Sequence, residues 1–133
     1  MPSIDQMRRL NIAPEWADPL TETFQRFGIS TAVQQGAFIG QCGHECNNFR
    51  TLEENLNYRA SVLHSQWPSH FTMQQALQMQ HQPQLIANQA YNGRMGNRLG
   101  TNDGYYYRGR GPAQTTGLDA YQKLGKLVGI DLF

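Results

Sequence analysis

The sequence predicts a mainly α-helical chain folded as one domain over residues 1–133, with a long glycine-rich loop region in its second half. Three observations carry the prediction. Apolar residues recur at three- and four-residue spacing behind good cap residues. Gly, Pro and Asn fall between these segments as stops. A chain of 133 residues has room for one core and leaves no length for a second domain.

Ser3 and Gln6 form a capping-box pattern ahead of Ile4, Met7 and Leu10, which predicts a short first helix. Asp18 followed by Pro19 reads as a cap and first turn, and Leu20, Phe24 and Phe27 supply one apolar face until Gly28 ends it. Ser30 or Thr31 caps a third helix with Val33, Ala37, Phe38 and Ile39. Its Gly36, Gly40 and Gly43 read as a small-residue face for close packing, so this helix is expected to be the buried central one. Each glycine weakens a helix by roughly 1 kcal/mol, so neighbours must hold it. Asn47-Asn48 reads as its stop, because Asn tolerates the left-handed conformation. A polar segment, Arg50 to Tyr58, follows. Ala60 to Gln66 and Thr72 to Gln80 read as helices separated by Trp67-Pro68-Ser69, with a further helix resuming at Leu85 and running to Tyr91 after the Pro83 break. Apolar residues interrupt the Gln-rich stretch too regularly for low complexity. Asn92 to Pro112 carries six glycines and reads as a loop, with a short strand at Tyr105-Tyr106-Tyr107; loops this long are usually functional. Thr116 or Gly117 opens a closing helix through Leu124.

Composition narrows the function classes. Eleven basic and ten acidic residues give a net charge of +1, and only 16% of residues are charged, which argues against a polyelectrolyte role. With 39% hydrophobic residues and a mean hydropathy of -0.60, a folded, soluble chain is expected. Cys42 and Cys46 cannot build a disulfide framework and read as buried thiols of a reducing compartment. The N-terminus lacks the pattern of a secretory signal, and no apolar run approaches the roughly 20 residues that span a bilayer. The expectation is synthesis in the cytoplasm, no membrane insertion, and delivery by another component if the target lies outside.

Glu45, Glu53 and Glu54 cluster beside a predicted helix end. Glu45 and Glu54 are nine positions apart; on one continuous helix that is about 900° of rotation and about 13.5 Å of rise, with the two on opposite faces. If the chain turns back at Asn47-Asn48, they can face each other at the roughly 6.5–9.5 Å of an inverting glycosidase. The competing reading is that acids near a helix end serve as caps and surface charges. His44-Glu45 fails as a zinc-protease motif, since position 48 is Asn, and Cys42, His44 and Cys46 leave a tetrahedral site incomplete, so no metal is expected. A cysteine nucleophile would need His44, His64, His70 or His81 as its base; a buried helical thiol is the simpler reading. Arg94, Arg98, Arg108 and Arg110 interleave with Tyr105, Tyr106 and Tyr107. Such a segment can stack bases or sugar rings, and Arg110 can hold a catalytic carboxylate in a buried ion pair; with a charge of only +1, nucleic acid is the weaker choice.

Taken together, Phe38-Ile39-Gly40-Gln41-Cys42-Gly43-His44-Glu45, Leu52-Glu53-Glu54-Asn55-Leu56-Asn57-Tyr58, Trp67-Pro68-Ser69, Ala87-Asn88-Gln89-Ala90-Tyr91, Gly93-Arg94-Met95-Gly96-Asn97 and Asp103 through Gly111 resemble glycoside hydrolase family 19, and within it the phage and bacterial endolysin branch. The resemblance runs in order over nearly the whole chain. It implies a lysozyme-like helical fold and an inverting glycosidase without cofactor. It places Glu45 as general acid, Glu54 as general base, and Thr116 as the hydroxyl that helps hold the attacking water. Asn57, Tyr58, Tyr91, Arg110 and Gln114 fall at substrate-binding or cleft-bracing positions.

Cys46-Asn47-Asn48 stands where the family usually has Ser or Thr followed by Gly-Gly, and Ala120 stands where many members have a substrate-contacting Asn. The family's domain continues past the segment resembling Gly129-Ile130-Asp131-Leu132 with further helices, so a fragment, a processed form or one part of an assembly is expected. The implied function is hydrolysis of β-1,4 bonds in peptidoglycan, acting on the cell wall after release through a holin-like pore or secretion apparatus. The alternatives are a chitinase on the same scaffold and a non-catalytic glycan-binding module.

Overall fold

A computed structural model describes residues 1–132; Phe133, the last residue of the predicted domain, lies outside the described residues. The chain is mainly helical, as a lysozyme-like helical domain requires. Its packing divides it into two compact units, Met1–Leu52 with Gly111–Gln114, and Glu53–Arg110 with the chain from Thr115 on.

The first unit contains α1 (Ile4–Arg9), a 3₁₀ turn (Pro14–Trp16), α2 (Ala17–Phe27) and α3 (Ala32–Glu45). Ser3 and Gln6 make the expected capping box, and Thr31 with Gln34 makes a second. Asp18 does not cap α2. The 3₁₀ turn that begins at Pro14 feeds straight into the helix at Ala17, one residue earlier. Gly28, at φ +66°, ends α2 as expected. Met7, Ile12, Leu20, Phe24, Ile39, Cys46 and Phe49 form the core of this unit. Phe27 points outward at 60% exposure and is not part of the apolar face.

α3 is not a buried central helix. Only Ile39 and Gly43 on it are buried, and a Cβ added at Gly36 or Gly40 would have nothing within 4 Å. Its scarcity of charge mimics burial because Gln, Gly and Ala fill its solvent face. After Cys46 the chain takes three successive left-handed residues, Asn47, Asn48 and Phe49, at φ between 50° and 64°. This reversal returns Phe49 to the core, where its ring lies 4.9 Å from that of Trp16. Of the two thiols only Cys46 is buried; Cys42 is half-buried.

The second unit contains α4 (Ala60–Gln66), α5 (Met73–Met79), α6 (Pro83–Tyr91), α7 (Asp103–Tyr106) and α8 (Leu118–Val128). Leu56, Leu63, Phe71, Ala76, Ile86, Ala87 and Ala90 form its core. α6 starts at Pro83 rather than Leu85, since a first-turn proline loses no helical hydrogen bond. α8 runs four residues beyond the predicted Leu124, to a left-handed Gly129.

The expected strand at Tyr105-Tyr106-Tyr107 is instead the short helix α7. Two side-chain amides, at the C-terminal end of α6 and just after it, hold its first turn: Asn92 Oδ1 accepts from the Gly104 N–H at 2.8 Å and Asn88 Oδ1 from the Tyr105 N–H at 2.9 Å. These bonds replace the ladder partner that a strand would need. Gly104 permits the approach, because a Cβ there would lie 2.5 Å from the Ala87 carbonyl oxygen.

Candidate functional site

Within the second unit, an extended segment at Glu53-Glu54 pairs with the chain at 109–110. Glu53 and Arg110 form an antiparallel bridge, and the Glu54 N–H donates to the Gly109 carbonyl at 2.8 Å. Successive side chains on extended backbone point to opposite sides, so the two neighbouring carboxylates enter different surroundings. Both oxygens of Glu54 accept hydrogen bonds, Oε1 from the Tyr91 hydroxyl and Oε2 from the Gly109 N–H at 3.2 Å. Burial, then the Glu54 carboxylate, push the Tyr91 phenol well above its usual range, so it stays a proton-bearing donor.

Glu53 takes the arginines. Arg108 Nη2 lies 2.9 Å and Arg110 Nε 3.7 Å from its carboxylate, and the Arg108 hydrogen bond is the main reason its carboxyl sits below the usual range. The Arg110 ion pair therefore falls on Glu53, whose side chain is 59% exposed, and not on a buried catalytic carboxylate. Arg110 is held further by the Tyr106 carbonyl at 2.7 Å and the Tyr121 hydroxyl at 3.2 Å. Arg108 lies over the Tyr105 ring, 4.3 Å from its centroid. Two of the interleaved tyrosines thus brace arginines.

Asn57 and Tyr58 approach the turn that follows α5. Asn57 Oδ1 is 2.8 Å from His81 Nδ1, the Tyr58 carbonyl accepts from the His81 N–H at 2.8 Å, and the Tyr58 ring meets Trp67 edge-on. Thr116 is half-buried between the Arg110–Thr115 bridge and the start of α8. Asn57, Tyr58, Tyr91, Arg110, Thr116 and Glu54 all belong to this unit.

Glu45 and Gln114 belong to the first unit. Glu45 is the last residue of α3 and is exposed; its Oε1 accepts from Gln41 Nε2, one turn earlier, at 2.9 Å. Gln114 is half-buried at φ +51°, a left-handed position stabilised by its own amide donating to the Gly111 carbonyl at 2.9 Å.

Sequence reasoning did not single out Tyr121 or the Gly109 N–H, and it named Arg108 only within a stacking segment and His81 only as a base for a cysteine. None carries a local signal, because each acts through a partner 11 to 55 residues away. Among the described residues no group of three or more His, Cys, Asp or Glu side chains gathers to hold a metal ion.

The second unit thus holds one carboxylate between a phenol and a main-chain amide, and its neighbour against two arginines. No family model matches the chain. It is 36% identical over 118 residues to a Haemophilus influenzae protein described as a glycosyl hydrolase family 19 domain-containing protein, an alignment covering 85% of this chain. That similarity relates the chain to glycosyl hydrolase family 19. The chain spans 58% of the length of that relative.

Proposed function

We propose that this chain is a peptidoglycan-degrading glycosidase that cuts β-1,4 bonds by an inverting acid/base reaction. Glu45 gives its proton to the leaving glycosidic oxygen. Glu54 takes a proton from the water that adds to the anomeric carbon on the opposite face, with Thr116 helping to hold that water. One C–O bond breaks, one forms, the configuration inverts, and proton exchange with solvent resets both carboxyl groups. Asn57 and Tyr58 contact the glycan, and Arg110 and Gln114 brace the backbone around it.

The observation that carries this reading is the double hydrogen bonding of Glu54. With each oxygen accepting, from Tyr91 and from Gly109, neither is presented as the proton-bearing oxygen of an acid, and the side chain is fixed on bridged backbone. That is the condition a general base needs. Similarity to a glycosyl hydrolase family 19 domain-containing protein supports the reaction class.

The test is mass spectrometry of soluble products from purified peptidoglycan and from chitin oligomers, using wild type, Glu45→Gln and Glu54→Gln. The expected result is muropeptides with new reducing ends from wild type alone, released first as the inverted anomer. Activity retained by either variant would sink the assignment, and cleavage of chitin alone would replace peptidoglycan by chitin as substrate.

A further inference from the structure

Three of the four arginines between residues 94 and 110 are neutralised within their own unit. Arg98 pairs with Asp103 at 2.7 Å, and Arg108 and Arg110 share Glu53. Arg94 differs. Among the described residues no carboxylate lies within ion-pair distance of it; its Nη1 instead donates to His70 Nε2 at 3.0 Å and to the Ala90 carbonyl at 3.4 Å.

A guanidinium has only donors, so His70 Nε2 is the acceptor and the ring is neutral, with its proton on Nδ1. That proton is given to Ser69 Oγ, 2.9 Å away, which leaves the Ser69 hydroxyl hydrogen free to point elsewhere. His70 is itself fixed: its N–H donates to the Trp67 carbonyl at 3.0 Å, and its own carbonyl accepts from Gln89 Nε2 at 2.9 Å. The result is an exposed, unneutralised arginine and an exposed serine hydroxyl, tied through one rigid imidazole. The row adjoins the candidate site. The Arg94 N–H donates to the Tyr91 carbonyl at 3.2 Å, and the Arg94 charge acts on the Tyr91 phenol, whose hydroxyl reaches Glu54.

An arginine braced by neutral partners keeps its full charge and a planar fork of donors, which matches a carboxylate. We infer that Arg94, braced by His70 and flanked by Ser69, is a carboxylate-binding subsite next to the Tyr91–Glu54 pair, and that it favours acidic peptidoglycan over uncharged chitin. The inference rests on the proposed action on a glycan strand and adds what selects the strand. The carboxylates of the stem peptide share this chemistry, as does the lactyl carboxyl on strands from which the stem has been removed.

Binding is the deciding measurement, because it does not require turnover. Wild type, Arg94→Gln and Arg94→Lys are sedimented with insoluble peptidoglycan, with peptidoglycan stripped of stem peptides by an amidase, with peptidoglycan whose carboxylates have been amidated, and with chitin. Arg94→Gln is expected to bind carboxylate-bearing peptidoglycan about tenfold more weakly, the loss of one charge-assisted pair, and to bind chitin as wild type does. Amidating the ligand should weaken wild type equally and leave Arg94→Gln unchanged, while Arg94→Lys recovers part of the loss. Dependence on Arg94 that survives amidase treatment points to the lactyl carboxyl freed on stripped strands, and dependence that disappears points to the stem peptide. Equal loss on chitin and peptidoglycan, no loss in Arg94→Gln, or no binding of peptidoglycan by folded wild type would overturn the inference. Turnover is read in parallel: a wild type that binds in an Arg94-dependent way but releases no products counts against the hydrolase reading alone.

Discussion

Asp103→Asn should lower stability in a way that depends on pH. Asp103 is 5% exposed, and its carboxylate accepts from the Arg98 N–H at 3.0 Å, Arg98 Nε at 2.7 Å and Arg98 Nη2 at 2.9 Å. The Arg98 guanidinium is the main reason its pKa is held down to about 2. Asparagine keeps the shape, but with its oxygen at the doubly hydrogen-bonded position its NH₂ faces Arg98 Nη2, so one bond is lost and the other two lose the carboxylate's charge. Such bonds contribute about 1.5–3 kcal/mol together, nearer the lower figure here, because the Arg98 side chain is 68% exposed and water replaces its partner. For a chain of this length that corresponds to a melting point lower by roughly 5–12 °C at pH 7, read by circular dichroism. A carboxyl whose folded pKa is depressed stabilises fully above about pH 4 and loses that contribution as pH falls through about 2. The gap between wild type and variant should therefore be constant from pH 7 to about 5 and close between about 4 and 2. A gap that persists at pH 2, or none at pH 7, would refute this account of the Asp103–Arg98 pair.

Tyr91→Phe removes the phenol donor on Glu54; under the proposed mechanism kcat should fall about tenfold or more with KM little changed, and an unchanged kcat would show that Tyr91 does not position the proposed base. Gly36→Ala and Gly40→Ala, in open helical positions of α3, should each stabilise by about 0.5–1 kcal/mol in urea titrations, and destabilisation would show a packed face there. Gly104→Ala should cost about 1–3 kcal/mol by driving a Cβ into the Ala87 carbonyl, and a neutral result would mean that α6 and α7 separate cheaply. Thr31→Ala should cost about 0.5–2 kcal/mol through loss of the α3 capping box, also read by urea titration, and a cost near zero would show that α3 is held by packing alone.

The sequence carries most of the helix boundaries because caps and stops are local. Ser3, Thr31 and Thr72 each pair with a glutamine three positions on, and the structure makes a capping box at each. The Asn47-Asn48 stop was legible for the same reason, since both residues take the left-handed conformation that the family's usual Gly-Gly would supply. What was not legible depends on distant partners. α7 forms because Asn88 on α6 and Asn92 just after it hold its first turn, and no pattern within Tyr105-Tyr106-Tyr107 records that. α3 reads as buried because it lacks charge, yet most of its uncharged residues face water. Of the candidate site, the residue types were legible and their partners were not; Tyr91 was expected to touch substrate, and its hydroxyl is on Glu54.

Glu53 and Glu54 show why the partner matters more than the residue type. Both are carboxylates in one motif, and residue type alone does not rank one above the other; only the resemblance to the family's motif points to Glu54. Extended backbone separates them by sending one to each side, and the 109–110 segment fixes that choice by bridging Glu53 with Arg110 while Glu54 exchanges bonds with Gly109. A one-residue slip in this pairing would exchange their surroundings, giving Glu54 the arginines and Glu53 the phenol. Register here is set by Gly109, whose N–H reaches the Glu54 carboxylate, and by Arg110, whose guanidinium closes on the Tyr121 hydroxyl at 3.2 Å. The Gly-Arg-Gly block thus acts mainly through its backbone and its ion pairs, by deciding which of two adjacent acids is neutralised and which is left to accept from Tyr91.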